Sequence, residues 1–377
     1  MVTLQNEISE QRRNNRKRVY DSLYFSDAPK TKKELATELG LSLPTITQNL
    51  SELFKANLVC SFQGEQYTGG RKAAVLDIIS DAYYSIGIAI AEVNIRMIIT
   101  DLRLNEIGYK KIKYHVNSFE KEMGGLVAKE LKAFIRSSGI DATKILGVGI
   151  AIPGLLDKEN KMILFAPTLK VRNISYDFFQ SEIPYPVFVE NDGTAGGMAE
   201  YFSNHEQKNM AYFLLENGVG GAVVINGQSY LGDNVCSGEF GHICVEPRGL
   251  ECSCGKTGCL EPYCSARRFS DDLGINLEDF FDGVKKGNEL YRSMWEDMLK
   301  HLAIGIHNTR IVLDCDVVLG GFMVQYIEPY MNDLKQYVMK CNFIGEDADY
   351  IRLCNFGNKS VCMGMALHFV QELMNRF

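Results

Sequence analysis

The stretch GEFGHICVEPRGLECSCGKTGCLE, from Gly238 to Glu261, places His242, Cys252, Cys254 and Cys259 on one short loop with glycines between them. Zinc takes four nitrogen or sulfur ligands in a tetrahedron, and a Cys3His set on so short a loop needs glycine at its bends. The alternative is that three of the eleven cysteines are simply small core residues of a reduced protein. The polar, glycine-rich C-x-C-G-x-x-G-C has no apolar periodicity that would bury thiols, so the spacing predicts a zinc site. Two carboxylates are tethered to this loop: Glu239 lies three residues before His242 and Glu261 two after Cys259. Rigid carboxylates beside an imidazole accept hydroxyl groups well, and a sugar is a ring of hydroxyls.

The pattern G-E-x-G-H, succeeded at a short interval by C-x-C-G-x-x-G-C-L-E, resembles the signature of the ROK family, which contains repressors and sugar kinases with an actin and hexokinase type fold. The resemblance implies an α/β body of two lobes, a duplicated ribonuclease H-like arrangement with a cleft between the halves.

At 377 residues the chain is long for one domain, so two or three units are expected. A net charge of -7 argues against a protein coated in basic charge, although a local basic patch is compatible with it. The N-terminus MVTLQNEISE lacks a basic-then-apolar signal, and no run of about eighteen apolar residues occurs, so a cytoplasmic protein without a membrane segment is expected.

Basic residues gather early, at Arg12, Arg13, Arg16, Lys17 and Arg18. Such a run is commonly only the solvated face of a helix. Beyond it, TKKELATELGLSLPTITQNLSELFKANLV carries two helical patterns around Gly40. Leu35, Ala36 and Leu39 form one apolar stripe and Ile46, Leu50 and Leu53 another, with Ser42 placed to cap the second helix. This is a helix-turn-helix pattern, whose second helix can enter the major groove of double-stranded DNA. Thr45, Thr47, Gln48 and Asn49 are expected on its polar side, facing bases or phosphates. The stretch CSFQGEQYTGGRKAAVLDI reads as two short strands around a polar turn, a wing, in which Arg71 after Gly69 and Gly70 could reach a minor groove or a phosphate. A small helical protein-interaction domain is the alternative for this unit. Regulators of the ROK family carry a winged helix-turn-helix ahead of the kinase-like body, whereas its kinases lack one. The expected organisation is a DNA-binding domain over 1–80, a first lobe over 81–190 plus 362–377, and a second lobe with the zinc loop over 191–361.

In the body, YYSIGIAIAEVNIRMIITDLRLNEIGYKKIKY reads as a β-meander, MGGLVAKELKAFIRSSG as an amphipathic helix and ILGVGIAIPGLLD as a buried strand. NMAYFLLENGVGGAVVINGQSYLG repeats the meander in outline, as a duplicated fold would. VENDGTAGGMAEY brings Asn191 and Asp192 to a strand end before a small-residue helix. An aspartate there can accept a proton from a sugar hydroxyl. The resemblance implies that Asn191, Asp192, Glu239, His242 and Glu261 hold a sugar, with Asp192 at the general-base position of the kinases. N-D-G alone is also a common turn signal.

The phosphate side departs from the family pattern. ROK kinases open on a D-x-G-G-T type loop, and the stretch that aligns here is Ala89, Ile90, Ala91, Glu92, Val93. A methyl replaces the carboxylate and Glu92 brings negative charge where phosphate oxygens need room. The glycines of Asn217–Gly221 and of Gly320–Gly321 are explained by tight turns as well as by nucleotide. Thr168 stands where family members often show an asparagine near the sugar. These residues point to a sugar-responsive DNA-binding regulator, expected to repress carbohydrate genes, with zinc as cofactor and without kinase activity. Its effector is a sugar or sugar phosphate, and a homodimer or homotetramer is expected from the palindromy of operator DNA. Effector-driven lobe closure, passed through the zinc loop, would alter the spacing of paired DNA-binding domains. The alternative is an ATP-dependent kinase of a hexose or N-acetylated hexose.

Overall fold

The computed structural model describes residues 2–63, 74–204, 208–341 and 347–376. Helix α1 (Val2–Tyr24) leads to strand β1 (Lys30–Thr31), helices α2 (Lys32–Leu39) and α3 (Leu43–Lys55), and strands β2 (Val59–Gln63) and β3 (Ala74–Ile78). Local chemistry sets the helix ends. Thr31 and Glu34 form a reciprocal capping box on α2, Gly40 closes that helix at φ 64°, and the Ser42 hydroxyl accepts the Thr45 N–H to start α3. Leu35, Ile46, Leu50 and Leu53 are fully buried against Val19, Tyr20 and Leu23 of α1, so the helix pair around Gly40 has a helix-turn-helix form. Strands β2 and β3 pair antiparallel beside it, with β1 on the far edge of β3. The turn expected to hold Gly69, Gly70 and Arg71 lies outside the described residues.

The first large sheet begins with the meander β4 (Tyr84–Ile90), β5 (Asn94–Asp101) and β6 (Glu106–Lys113). Helix α4 (Phe119–Ser138) crosses over to β7 (Ile145–Ile152), which pairs parallel with β4. A small antiparallel sheet of β8 (Leu155–Asp157), β9 (Met162–Ala166) and β10 (Val171–Ser175) and a short α5 (Asp177–Glu182) precede β11 (Val187–Asn191), parallel to β7. The order is β11-β7-β4-β5-β6. Strands β4, β5 and β7 are nearly continuous apolar runs because both of their faces are covered, whereas edge strand β6 carries Lys110, Lys111 and Lys113.

Helix α6 (Asp192–Ser203) links to the second sheet: β12 (Met210–Leu215), β13 (Val219–Ile225) and β14 (Gln228–Ser229). After the cysteine loop come α7 (Glu261–Cys264), α8 (Leu277–Lys286), α9 (Glu289–Leu313), β15 (Asp316–Gly320), α10 (Val324–Ile327), α11 (Met331–Cys341), β16 (Ile351–Leu353) and α12 (Ser360–Asn375). The order β14-β13-β12-β15-β16 repeats that of the first sheet, an antiparallel run with two parallel strands added beyond its first member. The body is therefore a duplicated α/β structure.

Helices α6 and α12 form the layer between the two sheets. Helix α12 lies on the first sheet, close enough that a Cβ at Gly87 would collide with the Cys362 carbonyl oxygen. Helix α6 turns its glycines toward the second sheet, Gly193 over Gly221 and Gly197 over Ala222. The two helices touch backbone to backbone, since a Cβ at Gly364 would strike the Ala195 carbonyl. One continuous apolar cluster joins α6, α12 and the N-terminal helices. Gly364→Ala should destabilise the protein by about 1–3 kcal/mol, overpacking outweighing the better helix propensity of alanine. A urea midpoint at or above that of the wild type would contradict this packing.

Candidate functional site

Asn191 ends β11 and caps α6. Its Oδ1 accepts the Thr194 N–H (2.9 Å) and its Nδ2 donates to the Gly154 carbonyl (3.0 Å), which fixes the amide plane. Asp192 is the first residue of α6, half-buried, with Oδ1 accepting the Gly193 N–H at 2.8 Å. Burial pushes its carboxyl pKa up to about 7, and the nearby Glu216 carboxylate adds to the effect, against the Gly193 N–H and Arg96. Glu239 also contributes repulsion, so Asp192 and Glu239 share one electrostatic neighbourhood. Glu239 immediately precedes the single 3-10 turn Phe240–His242, and burial raises its pKa against the lowering influence of His242.

His242 faces two ways. Its Nδ1 lies 3.7 Å from the Cys252 sulfur, while its Nε2 lies 4.0 Å from Glu239 Oε2. The Cys254 and Cys259 sulfurs are 3.8 Å apart, and one ligand atom from each of His242, Cys252, Cys254 and Cys259 lies within 4.8 Å of the others. With metal–sulfur bonds of about 2.3 Å, a tetrahedral site has a sulfur–sulfur edge of about 3.8 Å, so the donor set and its spacing fit zinc. Isolated antiparallel backbone pairings of Cys244 with Cys259 and of Glu251 with Thr257 fold the loop back on itself, and the cysteines themselves are free thiols. Gly258 is required at the bend, because it has φ 78° and a Cβ there would meet the Glu246 carbonyl. Glu261 opens α7 just beyond the loop. It accepts the Val219 N–H through Oε2 (3.0 Å) and the Ser253 hydroxyl through Oε1 (3.2 Å), and so ties the cysteine loop to the glycine turn before β13.

Two cross-cleft ion pairs were not anticipated from the sequence. Arg96 of β5 holds Glu216, after β12, with a two-pronged contact of 2.7 and 3.1 Å and also donates to the Asn358 carbonyl (3.1 Å). Burial opposes the Arg96 charge, yet Glu216 outweighs it and holds the guanidinium above its ordinary pKa. A charged residue inside the apolar run NIRMIITD is the only sequence signal of such a pair. The second pair joins Glu92 to Arg267 at 2.6 Å. Glu92, read in the sequence as negative charge where phosphate oxygens need room, is thus paired with a guanidinium from the second half. The same turn is further tied by the Tyr114 hydroxyl, which donates to the Ala91 carbonyl (2.7 Å).

On α3, Thr47 and Gln48 are exposed, while Thr45 is half-buried with its hydroxyl 2.8 Å from that of Ser42. Asn49 corrects the sequence reading. It is buried rather than on the polar side, and its Nδ2 donates to the Thr45 carbonyl (2.8 Å), because the stripe at Ile46, Leu50 and Leu53 carries position 49 inward. Within the early basic run, Lys17 pairs with Asp21 and Arg18 donates to the Leu39 carbonyl, leaving Arg12 and Arg13 exposed. Arg71 lies outside the described residues.

A duplicated α/β body carrying a helix-turn-helix defines a class, and comparison with known proteins agrees with it. The ROK family profile matches residues 85–372, and the chain belongs to the ROK family. The xylose repressor of Bacillus spizizenii is 33% identical over 267 residues, covering 68% of this chain and 69% of that one. The xylose repressor of Caldicellulosiruptor bescii is 21% identical over 369 residues, covering 92% of each. Among solved structures, a ROK family transcriptional regulator described as a homolog of the E. coli MLC protein superposes with a TM-score of 0.76 at 22% identity, over 97% of each chain. A ROK family glucokinase from Streptomyces griseus in complex with glucose and AMPPNP gives 0.64 at 22% identity, over 76% of this chain and 98% of its own. At these identities the structural matches speak for fold.

The raised pKa of Asp192 has a definite sign in stability. A carboxyl whose pKa is higher folded than unfolded stabilises fully only below its unfolded value, and that stability is lost as pH rises toward 7. Asp192→Asn should escape this loss, so its unfolding midpoint should gain on that of the wild type between pH 5 and pH 8. A pH-independent difference would count against a desolvated Asp192.

Proposed function

We propose that this chain is a sugar-responsive DNA-binding repressor of carbohydrate-metabolism genes. The observation that carries the reading is the union, in one apolar cluster, of a helix-turn-helix unit with a ROK body whose phosphate-side turn is pinned across the cleft by Glu92 and Arg267. A kinase needs room and exposed N–H donors for a nucleotide at that turn. Here the Ala91 N–H is bonded to the Asn94 carbonyl and the Glu92 side chain spans the gap. The kinase alternative draws support from Asp192, whose pKa of about 7 suits a general base. Sugar-dependent ATP turnover abolished by Asp192→Asn would reinstate it.

Asn191, Asp192, Glu239, His242 and Glu261 are the residues that would hold the sugar. Xylose is the first candidate, because relatives 33% and 31% identical are named xylose repressors. DNA would be met by the exposed face of α3, with Thr47 and Gln48 offering groups to bases and Thr45 limited to its half-buried hydroxyl. The operator is double-stranded, and a homodimer or homotetramer would match two half-sites. No helix among the described residues is long and apolar enough to cross a membrane.

Zinc is the metal that fits the cysteine loop, held by His242 through Nδ1 and by Cys252, Cys254 and Cys259. Its chemistry there is structural: it fixes the loop so that the other face of His242, Glu239 and Glu261 stay in register. Cys252→Ser should lower the zinc content measured by elemental analysis from about one per chain and weaken sugar binding at least tenfold. Full zinc occupancy in that variant would refute the ligand set.

The functional test is binding to DNA from upstream of the chain's own and neighbouring genes, at one fixed salt concentration, with and without a panel of free and phosphorylated sugars. Specific binding is expected, with one sugar weakening it at least tenfold. Gln48→Ala should weaken specific binding by about 1–3 kcal/mol while leaving non-specific binding in place. Absence of specific binding under every condition would end this reading.

A further inference from the structure

We infer that the helix-turn-helix unit is mounted on both halves of the body at once, and that Phe202 is the positioning residue through which the sugar cleft governs DNA binding. The inference rests on the repressor reading and supplies its internal route. The two mounts converge on the end of α1. From the first sheet, Arg103, in the turn between β5 and β6, donates through Nη1 to the Tyr24 carbonyl (3.0 Å) and through Nη2 to the Asp77 carboxylate on β3. From the other side, Phe202 in the last turn of α6 meets the Tyr24 ring edge-on at 5.7 Å and the Phe25 ring at 5.3 Å. Tyr24 is therefore held by its carbonyl from one half and by its ring from α6.

The other end of α6 lies in the candidate sugar site, where Asn191 caps the helix and Asp192 begins it. Ten residue steps of helix carry the chain from Asp192 to Phe202, about 15 Å. Little can bend in between. Gly193, Gly196 and Gly197 seat α6 on the second sheet. The fully buried Glu200 accepts the Asn355 N–H (2.9 Å) and the Phe356 N–H (3.2 Å), with Arg352 beside it. Helix α12, by contrast, is seated on the first sheet at Gly87, and the two helices pack along each other, backbone against backbone where Gly364 meets Ala195. Domain closure by shear proceeds through small sliding of packed helices. Closure of the halves around a sugar thus moves α6 along α12, and the movement emerges as displacement of Phe202 relative to Arg103. A unit held at both points must tilt.

The test uses the full-length chain and titrates operator DNA at fixed salt with and without saturating xylose, glucose or N-acetylglucosamine, alongside calorimetric measurement of sugar affinity. Phe202→Ala is expected to keep sugar affinity within twofold of the wild type and sugar-free operator affinity within threefold. The sugar-induced drop in operator affinity should shrink at least fivefold, and Phe202→Tyr, which keeps the ring, should restore it. Phe25→Ala, at a 38% exposed ring, repeats the measurement where folding is not at stake. Variants that retain the full wild-type drop overturn the inference while leaving the repressor reading intact. A wild-type protein whose operator affinity no sugar alters overturns both.

Discussion

The contact between α6 and α12 is the joint on which the molecule depends. Each helix is fastened to its own sheet by glycine, which lets backbone approach backbone, and the two helices touch each other in the same way at Gly364 and Ala195. Interiors packed to crystal density transmit displacement well and absorb it poorly. Packed helices of this kind accommodate rearrangement by small sliding movements, and both the candidate sugar-site residues Asn191 and Asp192 and the helix-turn-helix unit are attached to α6.

Electrostatics supports this arrangement in two distinct ways. Arg96 and Glu216 form a buried pair across the floor of the cleft, with a further hydrogen bond to the Asn358 carbonyl, and such a pair specifies how the halves meet more than it adds net stability. Glu92 and Arg267 are about one-third exposed, so water screens them and their contact is weaker. The first pair sets a register, and the second is the weaker of the two. Asp192, Glu216 and Glu239 share one electrostatic neighbourhood, and the Arg96 and Arg267 guanidinium groups are each engaged by a carboxylate.

Much of the candidate site is legible because its residues are close in sequence. His242, Cys252, Cys254 and Cys259 share a loop, and their spacing with glycine at the bends leaves few geometries open. Ser42 at the start of α3 and Gly40 before it are likewise readable, since caps and turns are decided within four residues. Asn49 is not, because a position at the margin of an apolar stripe can face either way until neighbouring helices define the inside. Glu92 looks like a bare charge in the sequence because Arg267, its partner, lies 175 residues away.

The sequence by itself determined the local chemistry of this protein: where helices α2 and α3 start and stop, that strand β7 is buried, and which four side chains could gather around a metal. Those features depend on interactions over a few residues, and a few residues of sequence specify them. Only the tertiary structure decided which side of α3 faces out, how Glu92 and Arg96 are neutralised, and that α6 runs from Asp192 to the aromatic cluster of Tyr24, Phe25 and Phe202. Each of these depends on the approach of segments far apart in the chain, which is set by how two sheets and two helices pack rather than by any one stretch of residues.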